Sequence, residues 1–127
     1  MRKLGIALVH GRSMEPTLHE GDHLLVLYGA RPRRGMLAVV ALPANHSGVA
    51  RPLAVKRLTR PDPDGSDGWW VERDNPAEGL DSWVVGAIPA DGIQARVLLR
   101  LPTRRLPRLA RLPRLARMRL WVTRRGK

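Results

Sequence analysis

The sequence predicts a small, mostly β domain of antiparallel type followed by a basic tail, and three observations carry that expectation. Apolar runs of strand length recur between turns rich in glycine, proline and aspartate. No helical pattern of about 10 to 15 residues separates those runs, as it would in an alternating α/β chain. Residues 1–95 hold 11 Lys or Arg against 11 Asp or Glu, whereas residues 96–127 hold 12 Lys or Arg and no acid. The formal charge of +12 is therefore a property of the tail and says little about what the folded part binds. At 127 residues the chain has room for one main core and not comfortably for two.

Taken in order, the first ten residues read as a short strand or an irregular lead-in, and Gly11 opens a turn. His23 to Tyr28 is a β run entered through Gly21-Asp22 and ended by Gly29. Arg31 to Gly35 is a turn carrying solvated charge, and Met36 to Leu42 is an unbroken apolar strand expected to be buried on both faces. A loop from Pro43 to Pro52 leads to the next strand, Leu53 to Thr59. Pro61 to Gly68 is a polar, hairpin-like connection, and Trp69 to Glu72 resumes β character. Arg73 to Ser82 is a long polar loop, with a last β run expected over Trp83 to Pro89. These elements set a domain over roughly residues 5 to 99.

The tail has its own pattern. From Arg105 leucines recur at every third residue, at Leu106, Leu109, Leu112 and Leu115, with arginines beside them and prolines at 107 and 113. A period of three drifts around an α-helix, and each proline would remove a helical hydrogen bond. An extended polyproline-like segment, or disorder that orders on an anionic surface, suits that period better. Association with a membrane surface is one expectation for this tail, and contact with nucleic acid or an acidic partner is another.

Several function classes fall away at once. With no cysteine in the chain, a disulfide framework, a thiol nucleophile and a cysteine-held metal are excluded. The longest apolar runs are far short of the roughly 18 to 20 residues a membrane-spanning helix needs. The basic start is followed by an apolar run of only six residues before His10, short for a secretory leader.

The stretch that carries chemistry is Gly11-Arg12-Ser13-Met14-Glu15-Pro16-Thr17-Leu18. It sets one hydroxyl between a glycine and a proline-stiffened turn, where a nucleophile can be both held and presented. A serine needs a base, and His10, His19 and His23 all lie near Ser13 in sequence, with His46 further on. Lys56 is a second candidate. It follows Leu53-Ala54-Val55 and is the only lysine between Lys3 and Lys127, and burial would strip its ammonium of water and lower its pKa. The competing reading is an ordinary strand lysine with its amine turned outward. By strand alternation Arg57 is expected on the opposite face, in solvent. His19-Glu20-Gly21-Asp22-His23 also matches the zinc peptidase pattern H-E-x-x-H, which works only on a helix. Pro16, Gly21 and the β run that follows argue for a turn, so the match is read as fortuitous and no metal is expected.

The Ser13 stretch with Gly21-Asp22 resembles the nucleophile box of type I signal peptidases. Three more segments follow in that family's order: Arg34 to Val40; Val55-Lys56-Arg57-Leu58; and Asp74-Asn75-Pro76 through Leu80-Asp81-Ser82. Together they span about residues 9 to 89. The resemblance implies a catalytic domain over 1–99 of the signal peptidase core type, with 100–127 as a disordered or surface-associating tail. It implies a serine endopeptidase in which Ser13 attacks a peptide carbonyl and Lys56 is the general base, with no cofactor. It further implies that Asp81 and Ser82 support the lysine, Ser82 by bonding the ammonium, and that Met14 and Pro16 lie at the substrate cleft. Gly11 stands where some relatives carry a second oxyanion hydroxyl. Gly79 and Trp83 replace a serine and an arginine, which removes the usual supports for Lys56 and for an ion pair with Asp81. Compactness makes the chain most similar to proteases that mature nickel-type superoxide dismutase. The expected partner is a polypeptide precursor with an N-terminal leader, in the cytoplasm, with peripheral contact at the inner face of the membrane through the tail and no specific nucleic acid. General removal of signal peptides, and a non-catalytic binding protein acting through its tail, are the alternatives.

Overall fold

A computed structural model describes residues 3–45, 47–49, 51, 53–101 and the backbone of 116–121. The strands are β1 (Leu4–His10), β2 (His23–Tyr28), β3 (Leu37–Ala41), β4 (Leu53–Pro61), β5 (Trp69–Glu72), β6 (Ile93–Leu101) and β7 (Ala116–Trp121). They form one sheet in the order β5-β4-β3-β6-β2-β1-β7. The first six pair antiparallel throughout, and β7 lies parallel to β1 at the edge. Among the described residues helix is limited to one turn, α1 (Ser82–Val85), and one 3-10 turn at Ala90–Gly92. No helix among the described residues is long and apolar enough to cross a membrane.

Alternation of side chains explains the layers. In β1 and β2 every second residue is buried, placing Ala7, Val9, Leu24 and Val26 on one face. They pack with Met14, Leu18, Val39, Val55 and Ala95 in one core cluster. In β3 the three consecutive residues Ala38, Val39 and Val40 are all buried, as a strand covered on both faces requires. Its other face meets Ala54, Leu58, Val71, Leu80 and Ile88 in a second cluster. Each large aliphatic side chain so buried contributes roughly 1.5 to 3 kcal/mol.

The sheet curls on itself: β4 lies against β7, although β3, β6, β2 and β1 stand between them in the strand order. Strands β2, β6 and β3 separate β1 from β4. In a flat sheet β1 and β4 would stand roughly 19 Å apart, at about 4.8 Å per strand step. Ser13, three residues past the end of β1, nonetheless meets the Lys56 amine of β4. The right-handed twist accumulated across the strands closes that gap.

Two expectations change. Residues 83–89 are not a strand. Asp81 caps α1, its carboxylate accepting the Trp83 N–H at 3.1 Å, and Gly86 ends the turn, so only Ile88 keeps a β bridge, to Trp69. A carboxylate two residues before the segment competes for the backbone donors that a strand would need. The second change concerns the tail: Ala116–Trp121 forms β7 in register with Gly5 to His10, so these six residues are part of the sheet. The leucine triplet repeat lies outside the described residues. Strand β6 was not singled out as an element, although the expected domain boundary near residue 99 includes most of it.

Candidate active site

Ser13 and Lys56 meet in the interior. The Lys56 Nζ donates to Ser13 Oγ at 2.9 Å, and both residues have no exposed surface. Lys56 sits mid-strand in β4 on the face with Ala54 and Leu58, opposite Ala38 of β3. Its stem is thereby walled by apolar side chains and its amine cannot turn outward, which overturns the ordinary reading of a solvated strand lysine. Ser13 is delivered by the turn after β1. Gly11 adopts φ 85°, a left-handed value that a side chain would strain, and reverses the chain there. The turn is then closed by Glu15 N–H to Arg12 O at 3.2 Å and Leu18 N–H to Met14 O at 2.9 Å.

The electrostatics follow from burial. Loss of hydration pushes the Lys56 ammonium down from 10.5 to about 8, against the pull of the Asp81 carboxylate; the Arg73 cation pushes the same way as burial, and Asp74 opposes it. With a pKa of about 8 a minor fraction of Lys56 is neutral at physiological pH, and in that form the amine can accept the serine proton along the same 2.9 Å contact. That geometry and that protonation state suit general-base activation of an alcohol.

The loop from Arg73 to Asp81 closes over the pair. Asn75 N–H donates to Ser13 O at 2.8 Å, and Asn75 Nδ2 donates to Arg12 O at 2.8 Å. Gly79 takes φ 103°, and a Cβ there would lie 2.4 Å from Ser13 Cβ and 3.3 Å from Lys56 Nζ. A side chain at this point, a serine included, has no room in this packing.

Other candidates land differently. Asp81 is 3% exposed and accepts from the backbone N–H groups of Trp83 and Arg73 at 3.1 and 3.2 Å. Its ion pair exists despite Trp83, because Arg73 Nη1 approaches Asp81 Oδ2 to 3.6 Å. Ser82, expected to bond the ammonium, instead accepts the Val71 N–H at 2.8 Å and ties α1 to β5. Met14 does not line a cleft: it is 1% exposed in the first core cluster, and its Sδ accepts the Asp74 N–H. Pro16 is exposed on the outer side of the turn, after a cis Glu15–Pro16 bond. Trp83 is also exposed, edge-on to Trp70 with centroids 5.3 Å apart, and Arg60 lies over both rings.

Arg57 is not left to solvent. Its Nε and Nη2 form a fork with both carboxylate oxygens of Asp74 at 3.0 and 2.8 Å, and Nη1 donates to Gly35 O at 2.9 Å. Burial alone would raise the Asp74 carboxyl, but hydrogen bonds from Arg57 and Thr17 outweigh it and hold the group below its ordinary value. Arg57, expected in solvent, and Arg73, not singled out from the sequence, thus bracket the loop. Their signal was weak: the Asp74-Asn75 pair and Asp81 needed cationic partners, but nothing in the spacing says which arginine supplies them.

The histidines do not join this site through the zinc-type string. His19 to Asp22 forms a turn and His23 begins β2, so the helix that pattern needs is absent. His19 stands 4.0 Å from Asp22, and His23 Nδ1 lies 3.1 Å from Gly21 O. Among the described residues no group of three or more His, Asp or Glu converges as a metal site. No family model matches the chain, and neither a curated protein nor a solved structure matches it.

Proposed function

We propose that this chain is a serine endopeptidase working through a Ser13/Lys56 dyad. The observation that carries the reading is the buried Lys56 amine 2.9 Å from Ser13 Oγ, with its pKa lowered to about 8. Neutral Lys56 takes the hydroxyl proton as Ser13 attacks a peptide carbonyl, and the ammonium then protonates the departing amine. Water, activated by the same lysine, releases the acyl group. Backbone N–H donors, with that of Ser13 among them, stabilise the tetrahedral oxyanion, since Gly11 offers no hydroxyl. The pair is covered by the loop through Asn75 and Gly79, so a substrate reaches Ser13 when that backbone moves aside.

The substrate follows from the resemblance to type I signal peptidases, most closely to the compact maturation proteases. On that reading the enzyme removes an N-terminal leader after a small residue, and the precursor of a nickel-type superoxide dismutase is the first candidate. The test is cleavage of leader-bearing peptides by the intact chain. Ser13→Ala and Lys56→Ala are each expected to lose at least about a thousandfold in kcat/KM while a chelator has no effect. Full activity in folded Lys56→Ala would overturn the dyad.

A further inference from the structure

One residue organises the loop over the dyad without hydrogen-bonding either member. Arg73 follows the last residue of β5, and its guanidinium gathers three backbone carbonyls: Nε to Asn75 O at 3.1 Å, Nη2 to Pro76 O at 3.0 Å and Nη1 to Gly79 O at 3.2 Å. Its backbone N–H donates to Asp81 Oδ2 at 3.2 Å, and Nη1 approaches the same oxygen to 3.6 Å. Few side chains can do this. A planar guanidinium has N–H bonds fanned in fixed directions, whereas an ammonium is a compact point donor. The gathered backbone is the one that bonds Ser13 O through Asn75 and packs Gly79 against Ser13 and Lys56.

We propose that Arg73 is a positioning residue for the Ser13/Lys56 pair, clamping residues 75–79 against the serine and occupying the Asp81 carboxylate beside the lysine. This rests on the dyad reading. Its electrostatic side has a definite sign. The charged groups that act on Lys56 are Asp81, Arg73 and Asp74, and Asp74 is held in the fork of Arg57. Removing the Arg73 cation takes away one repulsion and frees Asp81 to favour the ammonium, so Lys56 should become more basic.

The chain has three lysines, Lys3, Lys56 and Lys127, which makes lysine side-chain NMR on the full-length protein direct. In the unaltered chain one lysine is expected to titrate near 8, where Lys56 sits. In Arg73→Gln its titration should move toward the ordinary value, and the Asn75 amide should exchange at least about tenfold faster. Arg73→Lys restores charge without the fork, so it should return the titration close to that of the unaltered chain and leave Asn75 exchanging fast. The proposal is overturned if folded Arg73→Gln leaves the Lys56 titration unmoved, or if Asn75 keeps its protection in Arg73→Lys. Should Arg73→Gln fail to fold, Arg73→Lys decides alone by the Asn75 amide. A Lys56 that titrates like an ordinary lysine in the unaltered chain would sink the dyad instead, with the clamp still scored by Asn75 exchange.

Discussion

Two strings after β1 match patterns of catalytic sites, the second one only by chance, and they end in opposite environments. Ser13 is fully buried, and its hydroxyl receives an amine from a strand 43 residues away in sequence. Six residues later, His19 has 53% of its side chain in solvent, 4.0 Å from a carboxylate that also receives the His19 backbone N–H. The contrast lies in what comes to meet each string. A site is made where separate elements converge and exclude water, because only there do charges act strongly and pKa values move. The His19–Asp22 turn lies in water: even its ion pair from Asp22 to Arg100, at 3.7 Å, uses an arginine half exposed to solvent, which screens what these charges do.

The sharpest way to break this contrast is Gly79→Ala. A methyl group 2.4 Å from Ser13 Cβ, on a backbone at φ 103°, must push the dyad apart or strain the loop. Denaturant unfolding is expected to show a loss of roughly 2 to 4 kcal/mol, with peptide cleavage lost as well. Wild-type stability and activity in this variant would mean that Gly79 is not packed against the pair.

Next in size is the dependence on pH. Cleavage should rise with an apparent pKa of about 8 as Lys56 becomes neutral. Stability carries the same signature. Because the folded pKa lies below the ordinary 10.5, the unfolded chain binds more protons between about 8 and 10.5. Stability should therefore increase with pH through that window, and the penalty for burying the ammonium is fully present below it. The size is on the order of 3 kcal/mol. Lys56→Met fills the site without charge, so its stability curve should lack this rise and lie higher below pH 8, while the variant cleaves nothing. Parallel curves for the two proteins would place the lysine in water.

The smallest effects belong to the two histidines of the zinc-type string, His19 in the turn and His23 at the start of β2. His19→Ala and His23→Ala should each change kcat/KM by less than about twofold and stability by less than about 0.5 kcal/mol. A tenfold loss in either would reinstate that string as part of the site.

Local physics made much of the chain legible. The strands at His23–Tyr28 and Trp69–Glu72 were expected at their observed bounds, and those at Leu37–Ala41 and Leu53–Pro61 within two residues, since each is an apolar run fenced by turn formers. Residues 83–89 were misread because Trp-Val-Val favours a strand on propensity, whereas the preceding Asp81 supplies a cap that propensity does not count. Strand β7 was obscured by the proline and arginine pattern before it. Its pairing with β1 also means that deleting residues 101–127 removes sheet as well as charge, so truncation cannot isolate the role of the basic tail.

By itself, then, the sequence determined the β architecture, the Gly11 reversal that holds Ser13, and the rarity of Lys56 in an apolar strand. Those are matters of period, backbone freedom and composition, which act over a few residues. Tertiary structure alone decided that the Lys56 amine points inward at the serine, that Gly79 is a steric necessity, and that Asp74 takes Arg57 while Asp81 takes Arg73. The physical reason is the coil of the sheet. It brings the Ser13 turn to β4, whereas the pairing of β4 with its neighbour β5 sets Arg57 beside Asp74 and the return of the loop after β5 sets Arg73 beside Asp81.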